Sequence, residues 1–204
     1  MPHSHRKAVN HLKRVDPVMA DVTARVGPCT LVRRTQWTHF DALIRSIVYQ
    51  QLSGKAAATI HGRVIELIGE GSEAPARIIA TSHESLRGAG LSTAKANYVR
   101  NLAEHVSDGS LPVDSLDDLD DDEVIAALTQ VKGIGKWSAQ MFLMFRLGRP
   151  DVLPEHDLGI QKGIQKAYRM RKPPTPAQVL RRGARWGPYR TVASWYMWRI
   201  LEVR

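Results

Sequence analysis

Apolar residues along this chain recur at spacings of three and four. From His39 to Gln50 they fall at Phe40, Leu43, Ile44, Ile47 and Val48, which predicts a helix with one buried face. Asp16-Pro17 pairs an N-cap with proline at the first helical position, and a helix is expected to run to about Val26. Ser53 is placed to cap a helix over roughly 54–69, stopped by Gly69 and Gly71. Ser82 caps a short turn ending at Gly88 and Gly90, and Ser92 a helix through about Ser107. Helices also fit 120–130, 136–147, 157–170, 176–186 and 188–203, with Thr175-Pro176 again as cap and first position. No stretch alternates with period two over strand length, and no internal repeat is visible. Pro173, Pro174 and Pro176 form a rigid corner. The pattern predicts an all-α protein.

Composition narrows the class. The 204 residues, 43% hydrophobic and 24% charged, suit one compact domain or two small lobes sharing a core. The one cysteine, Cys29, rules out a disulfide within the chain, a zinc site of several thiolates and a Cys-ligated iron–sulfur cluster. No apolar run approaches the ~20 residues of a membrane span. The basic N-terminus MPHSHRKAVNHLKRVD lacks the apolar core of a secretory signal, so cytosol or nucleus is the expected compartment. His3 and His5 are expected in a frayed tail, not at a metal.

Charge then points to a partner. The 29 Lys and Arg exceed the 20 Asp and Glu by +9. Residues 114–123, DSLDDLDDDE, hold seven acids and no base, so the rest of the chain sets 29 bases against 13 acids, +16. Such an excess favours a polyanion, most often nucleic acid. The acidic run itself sits at the start of helix 120–130, where it complements the helix dipole. Its spacing and missing internal glycine argue against an EF-hand.

The segment 128–140, LTQVKGIGKWSAQ, carries the most chemistry. A helix ends, two glycines flank one apolar residue, and another helix begins. Gly133 and Gly135 would permit torsions and close approach that side chains block. Amides opening the second helix, beside Lys136, could then hold a phosphate without reading a base. A Walker A loop is excluded by Gln130 and Trp137, and a dinucleotide fingerprint by Ser138. A plain glycine-containing helix turn is the alternative.

This segment resembles the helix–hairpin–helix of the DNA glycosylase superfamily, in which the hairpin is followed by a Gly/Pro-rich loop and an aspartate. DVLPEHDLGIQKG at 151–163 supplies Pro154 and Asp157 at the expected distance. ALIRSIVYQQLSGKAA (42–57), GLSTAKANYVRNLA (90–103) and WGPYRTVASWYMW (186–198) are similar to the alkylbase branch, that of the bacterial 3-methyladenine DNA glycosylase II and its yeast relatives. The resemblance spans about residues 36–201. It is to a compact form without the N-terminal β-rich domain of the bacterial relative. It implies two α-helical lobes with the active site in a central cleft. The whole chain would be a single compact glycosylase domain, with the helix–hairpin–helix at about 120–147 and the catalytic loop at about 148–157.

By that resemblance Asp157 matches the catalytic aspartate. It is also a plausible N-cap for helix 157–170, and both roles are compatible. Trp137 occupies the position where bifunctional glycosylases carry a Schiff-base lysine, and Lys136 falls one residue early, about 100° away around a helix. This departure implies a monofunctional enzyme. Trp198 matches the tryptophan that helps form the base pocket in the bacterial relative, core packing being the alternative, and Trp137 is expected to offer a second aromatic face to the base, while Trp186, Trp195 and Tyr196 are assigned to the core. Gln51 matches the residue that fills the gap left by a flipped base. Ser53 matches a position facing the minor groove, where the pair would otherwise be a simple cap. His156 stands where relatives have an acid, and a solvent-facing loop residue is favoured over a proton relay. With Gly133, Gly135 and Lys136 gripping DNA, the family hairpin often holds a monovalent cation, here at the carbonyls of Thr129, Val131 and Ile134. No other cofactor is implied.

The implied reaction follows from the chemistry of the lesion. Alkylation at N3 or N7 makes a purine cationic and a good leaving group. The enzyme would extrude the nucleotide, offer aromatic faces to the base and stabilise a sugar cation with Asp157. The expected partner is damaged DNA, with a monomer as the acting species. A bifunctional glycosylase/lyase and a non-catalytic helix–hairpin–helix DNA-binding protein are the rival readings.

Overall fold

The structure, a computed structural model, describes residues 5–203. Its helices are α1 (Arg6–Val15), α2 (Pro17–Val26), α3 (His39–Tyr49), α4 (Gly54–Ile68), α5 (Ala74–Ala80) and α6 (His83–Gly88). They continue as α7 (Thr93–Ser107), α8 (Asp121–Thr129), α9 (Lys136–Phe142), α10 (Leu158–Ala167), α11 (Pro176–Gly183) and α12 (Arg190–Arg199). No strand occurs among the described residues. The chain forms two compact units: residues 34–142, and a discontinuous one of residues 1–33 with 143–204.

In the continuous unit the stripe read from the sequence is buried: Phe40, Leu43, Ile44, Ile47 and Val48 of α3 are all in the core. α3 packs against α4 and α7, and α7 also receives α5 and α6. The caps work as their residue types predict. Thr38, Ser82 and Ser92 each accept the backbone N–H three residues on. The acidic run does the same job at α8, where Asp120 and Glu123 form a reciprocal capping box. α5, which the sequence reading left out, follows two glycines and has Pro75 in its first turn.

The discontinuous unit is built around α12. Thr191 through Met197 are all buried, so over these two turns the helix is enclosed on every side. α10 lies so close that a Cβ on Gly163 would stand 2.0 Å from the Met197 carbonyl oxygen. α1 and α2 complete the core with Ala8, Leu12, Met19 and Val22. Asp16 caps α2 at the Val18 N–H (3.0 Å), as the sequence predicts. Its buried second oxygen accepts from the Trp186 indole at 3.2 Å and from the Tyr168 hydroxyl. The Tyr196 hydroxyl donates to the Gly27 carbonyl at 3.0 Å, and burial pushes its phenol up to about 12.

Three expectations need correction. The N-terminus is not a frayed tail from His5 on. His5 stands at the N-cap of α1, and its Nε2 lies 2.7 Å from the Leu31 carbonyl. His3 lies outside the described residues. The helix expected over 136–147 keeps α geometry only to Phe142 and widens to a π turn at Leu143–Leu147, where the two units meet in the chain. The helices expected over 176–186 and 188–203 are shorter, with a 3-10 turn at Ala184–Trp186 between them.

Candidate active site

In the discontinuous unit, residues 148–157 form a loop fastened to the first turns of α12. Arg190 makes two side-chain bonds to Asp151, Nε to Oδ1 at 2.8 Å and Nη2 to Oδ2 at 2.7 Å. The Arg190 guanidinium holds the Asp151 carboxyl below the usual carboxylate range, against the opposing effect of partial burial. Thr191 donates its hydroxyl to the Arg149 carbonyl (2.6 Å) and accepts the Val152 N–H (3.0 Å). Val152 through Glu155 are buried, and Gln161 donates to the Glu155 carbonyl. The loop is therefore held by side chains of packed helices, which is what a positioned reactive group requires.

Asp157 follows directly. Its backbone N–H donates to the Pro154 carbonyl at 3.0 Å. Its Oδ1 accepts two donors: the Ile160 N–H at 2.8 Å, as N-cap of α10, and the Trp198 indole Nε1 at 2.9 Å. Gly159 makes the second bond available. A Cβ there would meet the Trp198 ring at 2.7 Å and Asp157 Oδ1 at 3.0 Å. Trp198 is half-buried and stacks on Phe145, with centroids 5.9 Å apart and planes at 25°. So Trp198 is not plain core: its indole fixes the aspartate. His156 is exposed and 3.8 Å from Glu155, in keeping with the solvent-facing alternative. Trp186, Trp195 and Tyr196 are buried, as assigned.

The hairpin lies in the other unit. The two glycines do different work. Gly133 has φ of +87°, and a Cβ on it would stand 2.3 Å from the Tyr98 ring. Gly135 has neither a positive φ nor any neighbour within 4 Å of such a Cβ, so close packing does not explain it. The turn is fastened by the Gln50 side chain to the Gly133 carbonyl (2.9 Å) and by Asn101 accepting the Lys132 N–H (2.9 Å). Lys136 and Trp137 open α9 and are exposed, the tryptophan by 47%. Thr129, Val131 and Ile134 lie at and beyond the C-terminus of α8, where carbonyls carry the negative end of the helix dipole. The Val131 carbonyl accepts the Ile134 N–H at 3.0 Å and retains a second lone pair. Neutral carbonyl oxygens can replace the hydration shell of an alkali cation.

Gln51 has a left-handed backbone, φ 57°, and is exposed. Outside glycine that conformation is uncommon, and the chain just before it is fastened by Lys95, which donates to the carbonyls of Val48 (2.7 Å) and Gln50 (2.6 Å). Ser53 is at the N-cap of α4 but makes no side-chain cap bond, contrary to the capping expectation. Lys95, Gln50, Arg190 and Thr191 were not singled out from sequence. Their partners lie 39 to 83 residues away, beyond any local pattern.

Charge is divided unevenly. The discontinuous unit holds 19 of the 29 Lys and Arg and 6 of the 20 Asp and Glu, a net +13, while the hairpin-bearing unit holds 10 and 14, a net −4. Among the described residues no helix is long and apolar enough to cross a membrane.

Comparison with known proteins places this geometry. The profile of the HhH-GPD superfamily of base excision DNA repair proteins matches residues 44–188. The chain is 36% identical over 166 residues to DNA-3-methyladenine glycosylase 1 of Schizosaccharomyces pombe, covering 80% of this chain and 73% of that one. It is similar to the solved structure of the S. pombe 3-methyladenine DNA glycosylase in complex with abasic DNA: TM-score 0.81, 32% identity, 97% of each chain. A DNA-3-methyladenine glycosidase structure from Bacillus halodurans gives a TM-score of 0.84 at 38% identity, over 96% of this chain and 89% of that one.

Proposed function

The chain belongs to the HhH-GPD superfamily of base excision DNA repair proteins, and we infer that it is a monofunctional DNA glycosylase for alkylated bases. It hydrolyses the N-glycosidic bond of 3-methyladenine, 7-methylguanine and related bases after base flipping and leaves an abasic site. The observation that carries the reading is the Asp157 carboxylate, oriented by two N–H donors on one oxygen at the end of a loop fastened to α12.

The steps follow from that placement. A base alkylated at N3 or N7 departs without a strong general acid, so the work left to the protein is exposure of the bond and stabilisation of the sugar cation. Asp157 places negative charge against that cation and orients the attacking water. Trp198 holds the carboxylate and presents aromatic surface beside it, and Trp137 presents an aromatic face at the hairpin. Gln51, on its left-handed turn, fills the space the extruded nucleotide leaves, with Ser53 on the groove side. Gly133 shapes the hairpin turn. Gly135 leaves room for a phosphate at the backbone amides, with Lys136 alongside. The carbonyls of Thr129, Val131 and Ile134 would hold a monovalent cation, which would neutralise their partial charge. The protein acts as a monomer on DNA, in the bacterial cytoplasm or the eukaryotic nucleus.

Methylated duplex DNA tests the reading. The expected result is release of 3-methyladenine and 7-methylguanine, detected by mass spectrometry, with no borohydride-trapped covalent complex. Release with efficient trapping would favour a lyase. DNA binding without release would favour a non-catalytic hairpin protein.

A further inference from the structure

Between Asp157 and Glu202 the chain holds ten Lys and Arg and not one acid. The stretch begins at the candidate reactive carboxylate and includes α10. On α10 the buried residues Ile160, Gly163 and Ile164 face the core, and Leu158, Lys162 and Lys166 are exposed on the opposite side. Leu158, next to Asp157, is 69% exposed, more than any other large apolar residue described. The Lys166 ammonium reaches the Val203 carbonyl at 2.5 Å and keeps two further N–H donors.

We propose that this exposed face of α10 is a second phosphate-binding surface, separate from the hairpin, which holds the strand flanking the extruded nucleotide. The proposal rests on the glycosylase reading and adds to it the element that grips the damaged strand. Charge complementarity selects the occupant. A row of cations on a stretch whose sequence has no acid between Asp157 and Glu202, in the unit of net +13, matches a row of phosphodiesters. Length matches as well. Leu158 to Lys166 is eight residues, roughly 12 Å of helix, and Lys162 to Lys166 about 6 Å, close to the distance between adjacent phosphates along an extended strand. Leu158 then meets the deoxyribose beside the reacting one, and Lys162 and Lys166 meet successive phosphates. The hairpin lies in a unit of net −4 and holds backbone through amides with one lysine, Lys136, alongside, so α10 adds to the salt-dependent part of binding.

The test compares K162Q/K166Q with K13Q/R14Q, which removes the same charge from exposed α1 positions of the same unit. The probe is a duplex with a reduced abasic-site analogue, and the readout is affinity against salt. For K162Q/K166Q the log–log slope is expected to shrink by nearly 2, so that the affinity deficit is about tenfold larger at about 50 mM salt than at about 200 mM. K13Q/R14Q is expected to keep the wild-type slope. A wild-type slope for K162Q/K166Q, or an equal change in both variants, overturns the proposal, the latter because it shows a diffuse field. K162E/K166E, checked for an unchanged unfolding midpoint, is expected to enlarge the same effect. Failure of the glycosylase reading is distinguishable: it appears as absence of base release by the wild type, whatever the slopes.

Discussion

Asp157 makes a discriminating substitution available because of how it is bonded. Asparagine is as good an N-cap as aspartate, and its carbonyl oxygen can accept both from the Ile160 N–H and from the Trp198 indole. Asp157→Asn is therefore expected to keep the fold, the loop and DNA affinity near wild type. The full negative charge is lost, and base release should fall by roughly 100-fold or more. Single-turnover release of 3-methyladenine with an unfolding curve beside it checks both halves. Asp157→Ala would blur them, since it removes the cap, worth about 1 kcal/mol, together with the charge. The N-cap place of Asp157 was legible in the sequence because an aspartate opens the helix there, and its reactive role was read from the resemblance of the short stretch around it. The Trp198 bond was not legible: it joins residues 41 apart and depends on a glycine at 159 that sequence alone reads only as a small residue.

Among the elements, the hairpin separates two kinds of glycine. Gly133→Ala forces a Cβ into the Tyr98 ring at positive φ and should cost about 1–3 kcal/mol, lowering the unfolding midpoint by roughly 5 °C. Gly135→Ala meets nothing, so stability should hold while affinity for duplex DNA drops. Thermal unfolding and a binding titration on both variants test the assignment. The loop makes a pH prediction. Arg190 holds the folded-state pKa of Asp151 below its unfolded value, so its contribution is fully present above about pH 4 and fades as pH falls through the folded value. Asp151→Asn should be less stable than wild type at neutral pH, and the gap in unfolding midpoint should close in acid. Element boundaries were readable wherever a cap residue marked them, as at Asp16, Ser82, Ser92 and Thr175. α1 escaped because its apolar positions are few and sit among Arg6, Lys7, Lys13 and Arg14. The π turn escaped because LMFRL reads locally as ordinary helix.

For the molecule as a whole, net charge was legible and its division was not. The +9 of the sequence conceals +13 in one unit and −4 in the other, because residues 1–33 and 143–204 join only in three dimensions. That discontinuity also governs how the protein is made. A ribosome releases α1 and α2 long before α10 and α12 exist. Leu12, Met19 and Val22 must then wait for 143–204, a delay on the order of ten seconds or more at about 5–20 residues per second. Residues 34–142 meet no such delay. Stalled nascent chains of increasing length should gain protease protection over 34–142 first. The opening thirty-three residues should stay cleavable until the last helix has emerged, leaving the first-made part of the chain as the longest-standing client for a holding chaperone.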